Sequence, residues 1–482
     1  MSKQWPPTDE WISIYNKYAE YGAWYSGSRK KLMDYYAIKP DPFSGAGEFW
    51  GQNIPAGESR TMVHIPAAGD IAGTSAALIL GAHPQFKIEE AHEEGASTEA
   101  KEAQERFTEI TREMRLHSRL VEAAEVAAAF GGVFLKVNWD TEFRDYPIIS
   151  AVHPDHAIPE WQWGYLTRVT FHRVIQAEHR KVYRHLEIHE NGVIYNRLYK
   201  GDEEELGDSI PLAVHPETQD LKEEIQTGLK GLACVYIANT KPNRLWRGSE
   251  LGRSDYHALT DLFDSLDSIY SDWMREIDIA RGRILAPESY LKNERGSWIF
   301  DMDQTVFSPL EIAPTGDQTI EAIQFDIRAK EYQATATEIF NRIITTAGYA
   351  LQSFGVQQEG RIESGAALKL RKEKSELTRE MKQNYFKQGV HNLLDILIKI
   401  DQIYFGGLRD VTPQIELDDM TEIDIASTAK AIKDLELASA MSIETKVRML
   451  HPEWNEDTIK GEIERIQAEQ GVAVMNPEGR QD

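Results

Sequence analysis

The chain has 482 residues, 41% of them hydrophobic and 27% charged, with a formal net charge of −25. That length exceeds one compact core and predicts several domains or layers, while the apolar content excludes wholesale disorder. The acidic balance speaks against a tight nonspecific binder of DNA or of an anionic membrane, because affinity for phosphate comes mainly from Lys and Arg. It leaves room for a protein past which DNA slides. The single Cys234 excludes an intramolecular disulfide and a Cys-based zinc site, in keeping with a reducing compartment. MSKQWPPTDE holds no apolar stretch of an export signal, and no run of 18 apolar residues occurs, so no membrane span is expected.

In chain order, Thr8 or Asp9 caps a first helix, along which Trp11, Tyr15, Tyr18, Tyr21, Trp24 and Tyr25 recur at helical spacing. So aromatic an element either lies against a large partner surface or packs in the chain's own core. Residues 41–57 are rich in Gly and Pro and read as a loop. TMVHIP reads as a short strand and AAGDIAGTSAALIL as a small-residue helix. The acidic run IEEAHEEGASTEAKEAQE enters a long helix, roughly Thr98 to Phe130, that Gly131 and Gly132 end. FLKVNW is a strand. HLEIHENGVIYNRLY alternates on both sides of Asn191-Gly192, the pair that a type I′ turn prefers, and KGDEEELGD is a charged surface loop. Residues 1–245 thus read as α+β.

Ser254 or Asp255 caps the next long helix, with Tyr256, Leu259, Leu262, Phe263, Leu266, Ile269, Tyr270, Trp273 and Ile277 as its apolar stripe. Asp261, Asp264, Asp272 and Glu276 occupy the other face, with Ser265 and Ser268 between them. At ~1.5 Å per residue this is a rod of roughly 40 Å. An insert of strands and turns follows, and a second rod starts at Asp326 with Ile339, Phe340, Ile343 and Ile344 on one face. Three glycines (355, 360 and 365) and the polar Gln352, Ser353, Gln357, Gln358, Glu359 and Arg361 interrupt it. A segment with so little to bury is a surface flap or faces a channel. A further long helix runs to about Gly407. Its Lys369, Arg371, Lys372, Lys374, Arg379 and Lys382 alternate with Glu373, Glu376 and Glu380, the pattern of a solvated face. Bridging to a neighbouring subunit and contact with nucleic acid are alternatives.

No motif supplies an active site. Gly355–Ile362 has a G-x-x-x-x-G frame, but Arg361 and Ile362 stand where a P-loop requires Lys and Ser/Thr. His185 and His189 lie in an alternating strand and read as a surface row rather than metal ligands. His153 and His156 flank a Pro-Asp turn without a third ligand, and Gly248-Ser249-Glu250 is no nucleophile elbow. Neither a cofactor nor a metal is expected.

The order of these parts resembles the portal proteins of tailed bacteriophages. The residues that carry the resemblance are Gly248–Asp255 (G-x-S-E-L-G-x-S-D), DSIYSDWMREIDIARGR at Asp267–Arg283, and S-G-A-A-L-K-L-R at Ser364–Arg371. The opening W-x-x-x-Y, then Y-S-G and K-K-L-x-x-Y-Y, agree with it. The resemblance implies an α+β, helix-rich, multi-domain ring subunit. Its wing would be 1–254, stem helices 255–283 and 326–348, clip 284–325, tunnel loop 349–365, long helix and wing return 366–420, and helical crown 421–482. It implies about twelve copies around double-stranded DNA at a capsid vertex of the virion, assembled in the bacterial cytoplasm. The ring would serve DNA packaging, retention and ejection. The implied partners are the terminase large subunit, a head completion or adaptor protein, and the major capsid and scaffolding proteins. The loop residues from Gln352 to Arg361 would face DNA, and Asp261, Asp264, Ser268, Asp272 and Glu276 would line the channel. An acidic helical scaffold or adaptor that never meets nucleic acid remains the alternative, and an enzyme completed between subunits a third.

Overall fold

The computed structural model describes residues 4–38, 49–52, 60–81, 83–92, 96–178, 181–280, 283–285, 292–294, 297–299, 321–323, 326–355, 365–408, 411–417, 442–450 and 456–469. They fall into two compact units, the first of mixed helix and sheet. One comprises Met1–Gln357 with Lys374–Leu417, the other Gln358–Glu373 with Asp418–Asp482.

The first unit opens on α1 (Asp9–Tyr25), whose N-cap Thr8 accepts a hydrogen bond from Trp11 N. Its aromatics serve the chain's own core. Tyr18 meets Phe130 and Trp246, Tyr21 meets Tyr256, and Trp24 meets Phe263. Buried polar tips find partners, as they must: Trp24 Nε1 donates to Tyr36 OH, which donates to Glu20. After α2 (Arg29–Ile38), α3 (Ala67–Leu80) lays its small side chains against α5 (Leu116–Phe130).

Two expectations about this region fail. TMVHIP is no strand: its backbone bonds go to side chains, Val63 N to Ser271 Oγ and Ile65 N to Asp267 Oδ1. The helix expected from Thr98 to Phe130 is two, α4 (Thr98–Glu113) and α5, broken at Arg115 with φ 52°. There the chain turns so that both Met114 and Leu116 are buried. No Gly or Pro marks the break.

Three antiparallel sheets complete the unit's ordered core. β2 (Gly132–Asn138) is central between β10 (Cys234–Ala238) and β3 (Ile148–Val152). The largest sheet runs in the order β4 (Ala157–Gln162), β5 (Tyr165–Glu178), β6 (Lys181–Glu190), β7 (Val193–Gly201), β8 (Asp208–Ile210), with β9 (Glu224–Gln226) also paired to β7. β1 (Gln85–Ile88) pairs with β15 (Pro413–Glu416). The hairpin expected around Asn191-Gly192 is the β6–β7 turn, with Gly192 at φ 77°.

His185 and His189 are not a surface row. Both are buried, because β6 has both faces covered here. His185 bonds Asn196 and His189 bonds Glu187. Burial opposes ionisation of Glu187, yet the hydrogen bond from His189 and the Lys136 charge hold its carboxyl well below the usual range. The loop 200–208 is charged as expected, but Arg184 beneath it donates to the carbonyls of Asp202, Glu203 and Glu205.

The remaining helices are α6 (Thr260–Ile279), α7 (Ala329–Ala347) and α8 (Gly365–Ile400). α8 crosses β10 so closely that a Cβ on Gly389 would fall 2.5 Å from the Ile237 side chain. At the end of α8, Arg106 of α4 grips the buried Asp401 through Nε at 2.9 Å and a second nitrogen at 2.5 Å. Between α6 and α7, β11 (Arg283–Leu285) pairs with β14 (Glu321–Ile323), and β12 (Lys292–Glu294) with β13 (Ser297–Ile299). Cys234 is buried and free, its thiol pushed well up by burial.

The second unit contains the helices Ile443–Leu450 and Glu456–Glu469, which pack on each other. No helix among the described residues is long and apolar enough to cross a membrane.

Candidate functional site

The expected stem is an antiparallel pair, α6 and α7, fastened at both ends. Where α6 ends, Glu276 receives Arg328 N at 2.9 Å, the Arg328 guanidinium at 2.6 Å and Tyr332 OH at 2.8 Å. Trp273 stacks on Tyr332 with ring centroids 6.1 Å apart. Between the ends the rods bury Phe263 and Leu266 of α6 and Ala336, Ile343 and Ile344 of α7.

The Arg328 and Tyr332 bonds pull the Glu276 carboxyl from 4.5 down to about 2. A depressed acid stabilises the fold above its unfolded pKa and loses that contribution as pH falls through the folded one. Glu276→Gln should therefore speed amide exchange across residues 328–332 at neutral pH. The difference from the unaltered chain should shrink from pH 4.5 toward about 2. Equal exchange rates at neutral pH would remove Glu276 from this role. The effect is modest, since exposed charge pairs are screened by salt.

α6 carries three faces rather than two. Asp261, Ser265, Ser268, Asp272 and Glu276 fall on one stripe, of which Asp261 and Ser265 are exposed and Ser268 and Asp272 half-buried. Asp264 does not belong to it: it is buried and accepts from Phe49 N at 3.1 Å. Asp264, Asp267 and Ser271 recur at three and four residues and form a buried polar face. Among the described residues, 49–52 and 60–66 have no strand partner, and this face supplies acceptors for them. Asp267 accepts from Trp50 Nε1 at 3.0 Å and Ile65 N at 2.8 Å, and meets His64 Nδ1 at 2.7 Å. Burial pushes its carboxyl up, against these bonds, which favour the charge. The spacing 264, 267, 271 was visible in the sequence; its burial was not, because polar side chains flanking an apolar stripe read as the edge of the solvated face.

The other end centres on Asp255, which is not a helix cap. Residues 255–259 form a turn, and α6 begins at Thr260. The Asp255 carboxylate is buried, with Oδ2 accepting from Lys382 Nζ at 2.5 Å and Tyr349 OH at 2.7 Å, and Oδ1 from Asn239 at 2.8 Å. Lys382 also donates to Ser75 and Tyr349, both at 2.7 Å. Burial pulls its ammonium below the usual range, and Asp255 opposes that. Lys382 and Arg379 are both buried, so this part of the basic run on α8 is no solvated face.

This knot holds the root of the 349–365 segment. Tyr349 and Ala350 are buried, Ala350 N donates to Ser375 Oγ at 2.8 Å, and Ser353 Oγ meets the same hydroxyl at 2.9 Å. Thr378 donates to Gly348 O, and Lys374 to Thr345 O. Leu351–Phe354 is one 3-10 turn, with Gln352 and Ser353 half-buried. The exposed Gly355 then turns left-handed at φ 73°. Gln357, Gln358, Glu359 and Arg361 lie outside the described residues. The first six residues of the expected loop are therefore part of the folded unit. Among the described residues no three His, Cys, Asp or Glu side chains gather to hold a metal ion.

A family model described as phage portal protein, SPP1 Gp6-like, matches residues 9–474. The chain belongs to this family of phage portal proteins, structural components of the phage virion. No curated protein matches it. Among solved structures it is similar to "Neck of empty GTA particle computed with C6 symmetry", at 10% identity and a TM-score of 0.41, over 80% of this chain and 90% of that one.

Proposed function

We propose that copies of this chain close into a ring, about twelve by family resemblance, through which double-stranded DNA enters and leaves a capsid. The observation that carries the reading is the doubly fastened α6–α7 pair within a portal-family chain. Such a rod keeps its shape as a channel wall. The stripe Asp261, Ser265, Ser268 and Asp272, with Arg275 at its margin, gives passing phosphates few fixed cationic partners, so no deep minimum arrests the duplex. Glu276 is spent on Arg328 and faces the channel less freely. In this reading 1–254 and 366–420 form the wing, 284–325 the clip and 421–482 the crown. The segment 349–365 serves as the tunnel loop of this reading, and its first residues are held by the contacts of Tyr349. The ring hydrolyses neither ATP nor DNA; a terminase motor docks on it for packaging, and head–tail connector proteins follow.

Class-averaged electron micrographs of the purified protein should show rings with a central hole. Replacing residues 356–361 by a Gly-Ser linker of equal length should leave those rings intact and strip most of the DNA from assembled particles. Particles with unchanged rings and a full DNA complement would remove the loop from the channel. A chain that never forms rings would remove the portal reading itself.

A further inference from the structure

Two surfaces of the first unit carry opposite charge that ion pairs among the described residues leave largely unneutralised. On α4, Glu99, Glu102, Glu105, Glu109 and Glu113 are all exposed. At 3.6 residues per turn they share an arc of roughly 120°, away from the buried Ala100, Phe107 and Ile110. Glu113 meets only Arg112, its neighbour, at 3.4 Å, and the other four make no salt bridge among the described residues. Like charges three and four residues apart repel, and Glu109 and Glu113 sit toward the negative pole of the helix. The stripe destabilises the isolated helix.

The second surface is the segment from Lys241 to His257. Arg244 and Arg247 are exposed and make no salt bridge among the described residues. Arg253 and His257 are half-buried beside them. His257 is kept below its usual range by burial, then by the charges of Arg253, Arg244 and Lys17. The exposed Leu245 adds an apolar contact. No ion pair joins this surface to α4. Gly131, which abuts Gly252, ends α5, whose 15 residues span about 22 Å from the α4 junction.

We infer that the Glu99–Glu113 stripe of one copy docks on the Arg244, Arg247 and Arg253 surface of the next copy in the ring. A cyclic assembly beyond a dimer joins unlike faces of identical subunits, and these are two unlike faces of complementary charge. DNA is the less fitting occupant of the basic surface, because a chain of net charge −25 repels a polyanion. The inference rests on the ring reading above.

The test compares three full-length variants, E102K/E109K, R244E/R247E and the combination of all four changes, by light scattering across protein concentration. Circular dichroism checks that each is folded. Each one-sided variant should raise the concentration at half assembly by about tenfold or more, since like charges brought together cost several kcal/mol. The combined variant should recover most of that loss, and salt should weaken the unaltered ring. One-sided variants that assemble like the unaltered chain would overturn the contact and leave the ring standing. R244E/R247E rings that form normally but retain less double-stranded DNA on a filter would overturn it in favour of a nucleic-acid surface. An unaltered chain that stays monomeric would overturn the ring reading and the contact together.

Discussion

Lys382→Met should lower the stability of the first unit by about 3–5 kcal/mol, the usual effect of stranding one member of a buried ion pair. Asp255 would keep Tyr349 and Asn239 as donors but lose the charge that balances it. Ser75 would lose its partner on α8. The measurement is the urea midpoint of the purified chain, alongside Asp255→Asn and the Asp255→Asn/Lys382→Met pair. The double variant should be more stable than the sum of the single losses predicts, since the two residues are in direct contact. Strict additivity would mean that the pair does not act as a unit. Because Tyr349 shares the knot, Lys382→Met should also expose residues 349–355 to protease.

Gly252→Ala should have a comparable effect by a steric route. A Cβ at Gly252 would fall 2.1 Å from Gly131 O, and one at Gly131 would fall 2.6 Å from Gly252 O. Both obstacles are backbone, which cannot swing aside, so overpacking here should cost about 3 kcal/mol. Gly248→Ala is the comparison. It has φ 79° but nothing within 4 Å of the added carbon, so it should cost only the left-handed backbone strain of about 1–2 kcal/mol. Equal urea midpoints for the two variants would show that the Gly131–Gly252 approach relaxes without loss.

This contrast explains a motif that the sequence displayed without its reason. In G-x-S-E-L-G-x-S-D, Gly252 meets Gly131, Ser254 Oγ donates to Ala129 O at 2.5 Å, and Asp255 accepts Lys382. Each partner lies far along the chain, and periodicity reports only neighbours. Local signals were legible: the Thr8 cap, the Asn191-Gly192 turn, the three long helices from Thr260 to Ile400, and the alternation of β6 and β7. Signals that depend on what covers a face were not. His185 and His189 alternate as an exposed row would, yet both faces of their strand are covered. Lys382 sits in a run of mixed charge, yet its partner is on another element, not four residues away. Asp264 shares the composition of the exposed stripe on α6, and a rotation of some 60° about the helix axis places it inside. The family was legible for the opposite reason, since the order of parts along a chain survives where contacts cannot be read.

Cys234 lies fully inside the β10–β2–β3 sheet, with its thiol held protonated by burial. To a maleimide the folded chain is therefore a blank background, although it is not free of cysteine. A single new cysteine, placed at the exposed Trp163 in the β4–β5 turn or at Leu377 on α8, would take one label per subunit and no more. Pairs of such labels on neighbouring copies would act as a molecular ruler, reporting the spacing of subunits in solution and any change in it as DNA moves.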